Sequence, residues 1–522
     1  MDPEPTDVDV VIAGGGPAGL AAATSLASSG LSVTVVERRG TASEFEVQRA
    51  YLYLLDRRGQ QWTDRHNLTG IVRERGVLNK GYTITRAFPN EKGAVTVEPM
   101  LAGEASASAI WVPRATLLEV FANAAVDSGA KLQYGKSVKS ISKGEPGGRV
   151  RVELDDGALL RPRLLLGCDG IESRVRNTLK DWSGDVERFD PVVLPSASSG
   201  LQYKMLLVPP SFELCNLSLA IGYEDGQPLA SAPIVTQPQS AYTVPSLQTA
   251  RRERLRLGLL PSRDPSLPRT ANIIKPSDHR IWTMRTGDEL LAFLGASFPQ
   301  IDDISQLVSS DEADAFVKAS PGVFPAPQYV RTLATEVGGT GVALLGDAAH
   351  AFPPDVGQGV NSALEDVCVL TDALEAAGAL PVTAGSTVSS TVSSAYKPVP
   401  WSEEAAGAAA LSDGLGRYQA ERAPAAEALA RIVRVGFPFQ YDQSFWRAKL
   451  FVLGFGLRLL LSRTLGKLPM LNGRIFSPPV AFGVLAGEPY SQVWQKAQRT
   501  TAAIWTLAAA LLTVAARRLL LA

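Results

Sequence analysis

The feature that most limits what this chain can fold into is a glycine turn set between two apolar runs. Val8 to Ala13 is short and apolar and reads as a buried strand. Gly14-Gly15-Gly16-Pro17-Ala18-Gly19 follows, and Pro17 to Ser29 is a helix of small residues that ends at Gly30. Leu31 to Val36 is a second strand and closes on Glu37, 18 residues after Gly19. Strand, turn, helix and strand make a βαβ unit, which commits this region to a parallel sheet covered by helices. Gly14 permits the tight turn, Gly16 lets backbone approach a pyrophosphate, and Gly19 lets helix and strand pack closely. Free N–H groups at the helix start face phosphate oxygens. Glu37, with Arg38 beside it, stands where an adenosine ribose is gripped. The turn predicts a dinucleotide site and leaves open which dinucleotide.

Two later motifs narrow the choice. Leu165-Leu166-Gly167-Cys168-Asp169-Gly170 precedes Ser173-Arg174-Val175-Arg176. Gly346-Asp347-Ala348-Ala349-His350 precedes Pro353 and Gly357-Gln358-Gly359-Val360-Asn361. In this order and context the motifs resemble those of the single-component flavin aromatic hydroxylases, the group A flavoprotein monooxygenases. The resemblance implies one bound FAD, with Asp169, Gly170 and Gly346 at its site and Asp347 on the ribityl chain. It also implies that the helix opened by Gly357-Gln358-Gly359 aims its N–H groups at the pyrimidine edge of the flavin. Reduced flavin is anionic at that edge, and a helix N-terminus stabilises negative charge. His350 is expected to be a packed polar residue.

Within that superfamily the chain is most similar to the kynurenine 3-monooxygenases. Arg49, Leu52, Leu54, Arg58 and Gly59 match their early arginine-rich segment, which puts Arg49 near the flavin. Trp111-Val112-Pro113-Arg114 matches a segment whose arginine, here Arg114, binds the cofactor, and Val138 is assigned to the same site. Ser477-Pro478-Pro479 and the hydrophobic tail resemble a C-terminal region that is membrane-bound in eukaryotic members. The substrate grip departs from the family. That family holds the carboxylate of kynurenine with an arginine, two tyrosines and an asparagine. Asn361 fits the asparagine, but the late tyrosine falls on Phe437. The early arginine falls near Gly81 or Tyr82, with Arg86 the nearest basic candidate, and the early tyrosine is missing around Glu98-Pro99-Met100. A buried carboxylate without donors is costly. A less polar substrate, held by Arg86, Asn361 and Phe437, is therefore expected.

The implied architecture is α/β: a Rossmann-like FAD-binding domain interleaved with a β-sheet substrate domain, like that of p-hydroxybenzoate hydroxylase, then a C-terminal helical and membrane segment. The expected FAD-binding parts are 1–78, 108–186 and 333–376. The expected substrate parts are 79–107 and 187–332, the latter rich in proline and mainly β. Residues 377–410, rich in Ala, Ser, Thr, Gly and Pro, read as a flexible linker. Residues 411–499 read as helical, with a strongly apolar stretch from Ala448 to Ser462. Thr500 to Ala516 carries no charge and is flanked by Lys496, Arg499, Arg517 and Arg518, so 500–516 is expected to be a transmembrane anchor. Met1 to Val8 has neither signal-peptide nor transit-peptide character.

The chain has 51 basic and 52 acidic residues, a balance that gives no footprint for nucleic acid. Cys168, Cys215 and Cys368, like His66, His279 and His350, lack metal-ligand spacing, so no metal is expected and the thiols fit a reducing compartment. The resemblance implies that NAD(P)H reduces FAD, that O2 then gives a flavin hydroperoxide, and that one oxygen passes to a small aromatic substrate. NAD(P)H binds transiently in that family, which suits a chain with one nucleotide fingerprint. No catalytic side chain is assigned. Two other readings are a membrane-bound flavin oxidase or reductase acting on a lipid or isoprenoid, and a non-catalytic flavin-binding membrane protein. The family resemblance places the catalytic part in the cytosol, with the mitochondrial outer membrane as one site of attachment.

Overall fold

The structure is a computed structural model. It describes residues 4–42, 44, 46, 51–80, 83–89, 93–97, 106–215, 223–224, 227–228, 233–265, 269–381, 404–441, 443–467 and 475–521. Five parallel strands form the first sheet: β1 (Thr6–Ala13), β2 (Val33–Glu37), β3 (Lys131–Tyr134), β4 (Leu159–Gly167) and β5 (Thr340–Leu344). Their spatial order is β5-β4-β1-β2-β3. Val10, Val11 and Ile12 of β1 and Leu164 and Leu166 of β4 are fully buried, as expected for strands covered on both faces. An antiparallel strand, Ala334–Val337, adds beside β5, and the strands Val138–Ser142 and Arg151–Leu154 attach through β4.

Register does the assembling. Ala13 lies opposite Gly167, and Gly167 lies opposite Leu344. The carboxyl ends of β1, β4 and β5 are therefore level, and the three motifs that follow them emerge side by side. This is where ligands bind in open parallel sheets.

Seven helices position the site: α1 (Pro17–Ser28), α2 (Arg57–Arg65), α3 (Arg114–Asp127), α4 (Gly359–Ala376), α5 (Glu404–Gly436), α6 (Phe445–Arg463) and α7 (Tyr490–Leu521). The small residues of α1 let it bury almost completely between the sheet, α3 and α4. Helix α5 starts inside the stretch expected to be a linker, while 382–403 lie outside the described residues. The expected anchor falls within α7, which begins well before Thr500.

The second sheet has the order Gly322–Val323, Gln202–Val208, Arg269–Lys275, Arg256–Leu259, Ala241–Pro245, Ile84–Ala87, Ala94–Val97. One face carries Leu206, Val244, Leu257 and Ile273, which pack against Leu290, Phe293, Leu294 and Phe316. Those last residues lie on helices Gly287–Ser297 and Ser310–Lys318, which the mainly-β expectation for 187–332 did not include. The signal was present. Thr286 caps Glu289 N and Ser309 caps Glu312 N, both in the spacing of a capping box.

Candidate cofactor and substrate site

The glycine turn is built by close approach. Gly14 has φ of 101°, and a Cβ there would collide with the Cys168 carbonyl of the neighbouring loop. A Cβ on Gly19 would collide with the Gly14 carbonyl, so turn and helix meet only through hydrogen. Gly16 differs: a Cβ there meets no atom within 4 Å, because this position opens on the groove. Gly16 caps α1 without a side chain and Pro17 starts the helix. The first N–H groups are thus left for a ligand oxygen. Ala18 is buried against Gly346.

Glu37 locks the turn. Its Oε2 accepts from Gly15 N at 2.7 Å, and its Oε1 accepts from Arg39 N at 2.9 Å and Arg39 Nε at 3.1 Å. Arg39 Nη2 donates to the Gly15 carbonyl at 2.8 Å. Burial works to raise the Glu37 carboxyl, but Arg39 and the Gly15 amide hold it below the usual carboxylate range. Arg38 points to solvent, whereas the buried arginine is Arg39, because side chains alternate where β2 runs out.

Asp169 Oδ2 accepts from Arg174 N at 2.6 Å and Val175 N at 3.2 Å, stapling the loop to the helix that follows. Its Oδ1 is buried without a protein partner, and burial raises the carboxyl. Gly170 has φ of 82° and open space at its Cβ position. Asp347 sits on the 3-10 turn Gly346–Ala348, its side chain open to the groove yet walled by protein, and this burial raises its carboxyl above the ordinary value. Arg114, buried at the start of α3, has Nη1 3.7 Å from Glu46 Oε2. Val138 is half-buried in the edge strand Val138–Ser142. Pro353 caps the turn Pro354–Val356, Gly357 turns with φ of 65°, and Gly359 opens α4 with nothing within 4 Å of its Cβ position. Val360 is buried beneath. Arg49, Gly81, Tyr82 and Glu98 to Met100 lie outside the described residues.

The N-termini of α1 and α4, Asp347 and several glycines with nothing within 4 Å of their Cβ positions therefore border the space beyond the level carboxyl ends of β1, β4 and β5. This fits an elongated ligand with phosphates at α1, a hydroxylated chain at Asp347 and an electron-rich ring edge at α4. An FAD has those parts in that order, and Glu37, Asp347 and the amides of α1 and α4 are the groups that would hold it.

Behind the groove lies a buried network that sequence reasoning did not assemble. Asp366 Oδ2 accepts from Gly346 N at 2.7 Å and pairs with His350 Nε2 at 2.9 Å, and Arg422 Nε donates to Asp366 Oδ1. Arg422 Nη1 donates to Glu365 Oε2 at 2.6 Å, and its Nη2 to the Ser362 carbonyl at 3.0 Å. Burial opposes the charge on Asp366, yet His350 and Arg422 hold its carboxyl below the ordinary value. Arg58 Nε donates to Glu365 Oε1 at 3.2 Å, its Nη1 to Gln358 Oε1 at 3.0 Å and its Nη2 to the Glu488 carbonyl at 2.7 Å. Tyr490 of α7 donates to Gln358 Oε1 at 2.7 Å, and the Arg58 guanidinium lies 4.0 Å from the centre of its ring. Gln358 Nε2 donates to Asp56 Oδ2 at 2.9 Å. The Gln358 side chain is thus spent inside the protein, and only its backbone remains for the groove.

Asn361 is spent in the same way. Its Oδ1 accepts from Asp56 N at 3.0 Å, and its Nδ2 donates to the Leu54 and Gly357 carbonyls at 2.9 and 3.0 Å. It fixes α2 to α4 and has no group left for a substrate carboxylate. Phe437 packs on Phe451 and Phe455 of α6, with ring centres 6.2 and 5.5 Å apart. Arg86 is exposed on its strand. These three expected substrate residues are not brought together.

The second sheet instead presents a cavity on the face away from its helices, lined by Thr243, Arg256, Asn272, Ile274, Lys275 and Tyr441. Tyr441 follows the end of α5 and stacks edge-on against Phe324 with centres 5.6 Å apart. The Tyr441 and Ser198 hydroxyls stand by the carboxyl of Asp355, and Gln440 Nε2 donates to Asp355 Oδ1 at 3.4 Å. Burial pushes the Asp355 carboxyl up to about 6. Asp355 lies in the turn before Gly357, so this contact joins the cavity wall to the cofactor loop. No sequence motif marks Tyr441, Asp355 or Arg256. Among the described residues no group of three His, Cys, Asp or Glu could hold a metal.

Comparison with known proteins agrees with this geometry. A family model described as an FAD binding domain matches residues 7–190 and 299–406, more than half of the chain. Rifampicin monooxygenase of Rhodococcus hoagii is 25% identical over 361 residues, covering 69% of this chain and 62% of that protein. Kynurenine 3-monooxygenase of Emericella nidulans is 36% identical over 119 residues, 23% of this chain and 22% of that protein. The enzyme of the same name from Xanthomonas euvesicatoria is 25% identical over 376 residues, 70% of this chain and 72% of that protein. The chain thus spans less than two thirds of the length of the first two relatives. Among solved structures, the probable FAD-dependent monooxygenase PqsL of Pseudomonas aeruginosa superposes with a TM-score of 0.52 at 20% identity, over 86% of this chain and all of that one. The tetrameric form of 2-methyl-3-hydroxypyridine-5-carboxylic acid oxygenase gives 0.53 at 16% identity, over 93% of this chain and 96% of that one. At such identities these likenesses establish the fold. With its three motifs level at one sheet edge, the chain belongs to the FAD-binding domain family whose relatives and fold neighbours are FAD-dependent monooxygenases.

Proposed function

We propose that this protein is an FAD-dependent, NAD(P)H-consuming monooxygenase that hydroxylates a small aromatic substrate. The observation that carries the reading is the common groove of α1, α4 and Asp347, with the open face of the second sheet joined to it through Tyr441 and Asp355. Bound flavin supplies the chemistry: it takes electrons from the nicotinamide and activates O2. The protein supplies position and electrostatics. The amides of α1 would neutralise the pyrophosphate, Asp347 would hold the ribityl hydroxyls, Arg114 would contact the cofactor, and the N-terminus of α4 would favour negative charge on the ring edge, with Arg49 assigned to the same cofactor by the family resemblance alone. The cavity on the second sheet serves the substrate.

The substrate grip differs from that of kynurenine 3-monooxygenases, because Asn361 is consumed internally and Phe437 turns toward α6. Arg256, Asn272 and Tyr441 take over as the polar contacts of the cavity. Helix α7 anchors the protein to a membrane with the catalytic part in the cytosol; within Tyr490–Arg517 a stretch of 18 residues has mean hydropathy 1.4. A second reading, an oxidase or reductase acting on an isoprenoid, is favoured by the exposed apolar residues of α6 and α7.

The tests separate these readings. Asp347→Ala is expected to purify with much less flavin, and undiminished flavin absorbance would refute the assignment. A panel of kynurenine, phenolic and isoprenoid compounds is screened for coupled NAD(P)H and O2 consumption. Isotopic O2 then decides the class: label in the product is expected, while hydrogen peroxide alone means an oxidase.

A further inference from the structure

Charge is balanced over the whole chain but not along it. From Gln443 to Ala522 there are ten Lys and Arg and one acidic residue, Glu488. The preceding 442 residues hold 41 basic and 51 acidic. The basic end coincides with the apolar surface. None of the 19 residues of α6 is buried, and Phe445, Trp446 and Leu453 are 65, 72 and 70% exposed. On α7, Trp505, Leu511 and Leu512 are 72, 70 and 70% exposed. Arg458 of α6 donates to Thr501 of α7, so the two helices adjoin. Proteins that stay in water rarely leave so many large apolar side chains in one place.

The two helices differ in how they can meet a bilayer. Helix α7 is uncharged from Thr500 to Ala516 and suits a span. Helix α6 carries Arg447, Lys449, Arg458 and Arg463 among its apolar residues. Four cations are too many for the hydrocarbon core, but they suit the interface, where apolar side chains enter the acyl boundary and basic groups meet headgroup phosphates. A second copy of this chain is a poorer occupant, because both faces would be positive.

We propose that α6 is an interfacial helix that binds an anionic lipid surface in its own right, beside the α7 anchor. Tyr441 of the cavity wall lies four residues before Phe445, so this contact seats the cavity at the membrane surface. The inference rests on the membrane attachment proposed above and not on the reaction.

The test uses the full chain with Leu511→Glu and Leu512→Glu, which remove the spanning capacity of α7 and leave α6 intact. Flotation is measured with vesicles of phosphatidylcholine alone and of phosphatidylcholine with phosphatidylserine. Salt-sensitive binding to the phosphatidylserine vesicles is expected. Adding Arg447→Gln, Lys449→Gln and Arg463→Gln should weaken it on the order of 100-fold, at about 1 kcal/mol per basic residue. An unchanged flavin spectrum and circular dichroism show that each variant is folded. No binding by the α7 variant overturns the proposal, as does equal binding to both vesicles or self-association without lipid. No substrate-coupled hydroxylation by the wild-type protein, with vesicle binding retained, sinks the functional reading and leaves this one standing.

Discussion

Arg422 is fully buried and faces two carboxylates, Asp366 and Glu365, while His350 closes the far side of Asp366. A buried cation with this role is felt when removed, because its partners keep their charge. Arg422→Met is expected to lower stability by about 3–5 kcal/mol, read from the midpoint of urea unfolding. A change near zero would mean that the carboxylates take up protons or water at little cost. Asp355 tests the opposite case. Its carboxyl is raised by burial from 3.8 to about 6, so the folded state holds this proton more tightly than the unfolded chain. Its contribution is present below pH 4 and is lost as pH rises through about 6. Asp355→Asn cannot ionise, so the stability of Asp355→Asn minus that of wild type should grow between pH 4 and 7, by at most ~3 kcal/mol. Denaturant midpoints across that range decide it, and a constant difference would show that the carboxyl does not titrate there. Residue roles were the least legible level in the sequence. Motif spacing located Glu37 but not Arg39, since one residue of strand alternation separates a buried arginine from a solvated one. Asn361 was legible as part of the loop, yet its partners Asp56 and Leu54 stand some 300 residues away in the chain.

Elements were easier to read where local signals and long-range packing agree. Helix α4 runs from Gly359 to Ala376 and opens where the glycine pair places its start, and β1, α1 and β2 differ from expectation only at their ends. Helices Gly287–Ser297 and Ser310–Lys318 went unread because proline-rich neighbours masked two capping boxes. Nothing local says that α7 reaches the cofactor loop. Its first residue, Tyr490, donates to Gln358, which caps α4. Tyr490→Phe keeps the ring over Arg58 and removes only that hydroxyl. The expected cost is about 1–2 kcal/mol of stability, because Gln358 loses a buried donor. A second outcome follows from the position of Gln358: flavin should dissociate faster, measured by fluorescence on dilution, although Tyr490 lies behind the loop. An unaltered off-rate would show that α7 is not coupled to the loop.

At the scale of the whole molecule the two sheets are interleaved. The first takes strands from 6–167 and 334–344, the second from 84–97, 202–275 and 322–323. Alternation of texture along the sequence made the two layers legible, but the pairing that closes the second sheet was not. Ala241 lies opposite Ile84 and Thr243 opposite Arg86, in parallel, across more than 150 residues of chain. Such contacts leave no mark on either segment alone. They do fix what can be excised. Residues 187–332 hold the helices and most of the sheet, and look like a domain by composition. Cut out alone, they would leave the edge of Ala241–Pro245 unpaired, with the apolar residues Tyr242 and Val244 in that strand. Open apolar edges pair with other chains. The excised segment is therefore expected to aggregate, and the same segment joined through a flexible linker to residues 83–97 is expected to remain soluble and monomeric. Size-exclusion chromatography and circular dichroism of the two proteins make the comparison. A soluble, β-rich 187–332 on its own would mean that the Ile84–Ala87 strand is an ornament of the sheet, and that the boundary visible in the sequence is also the boundary of folding.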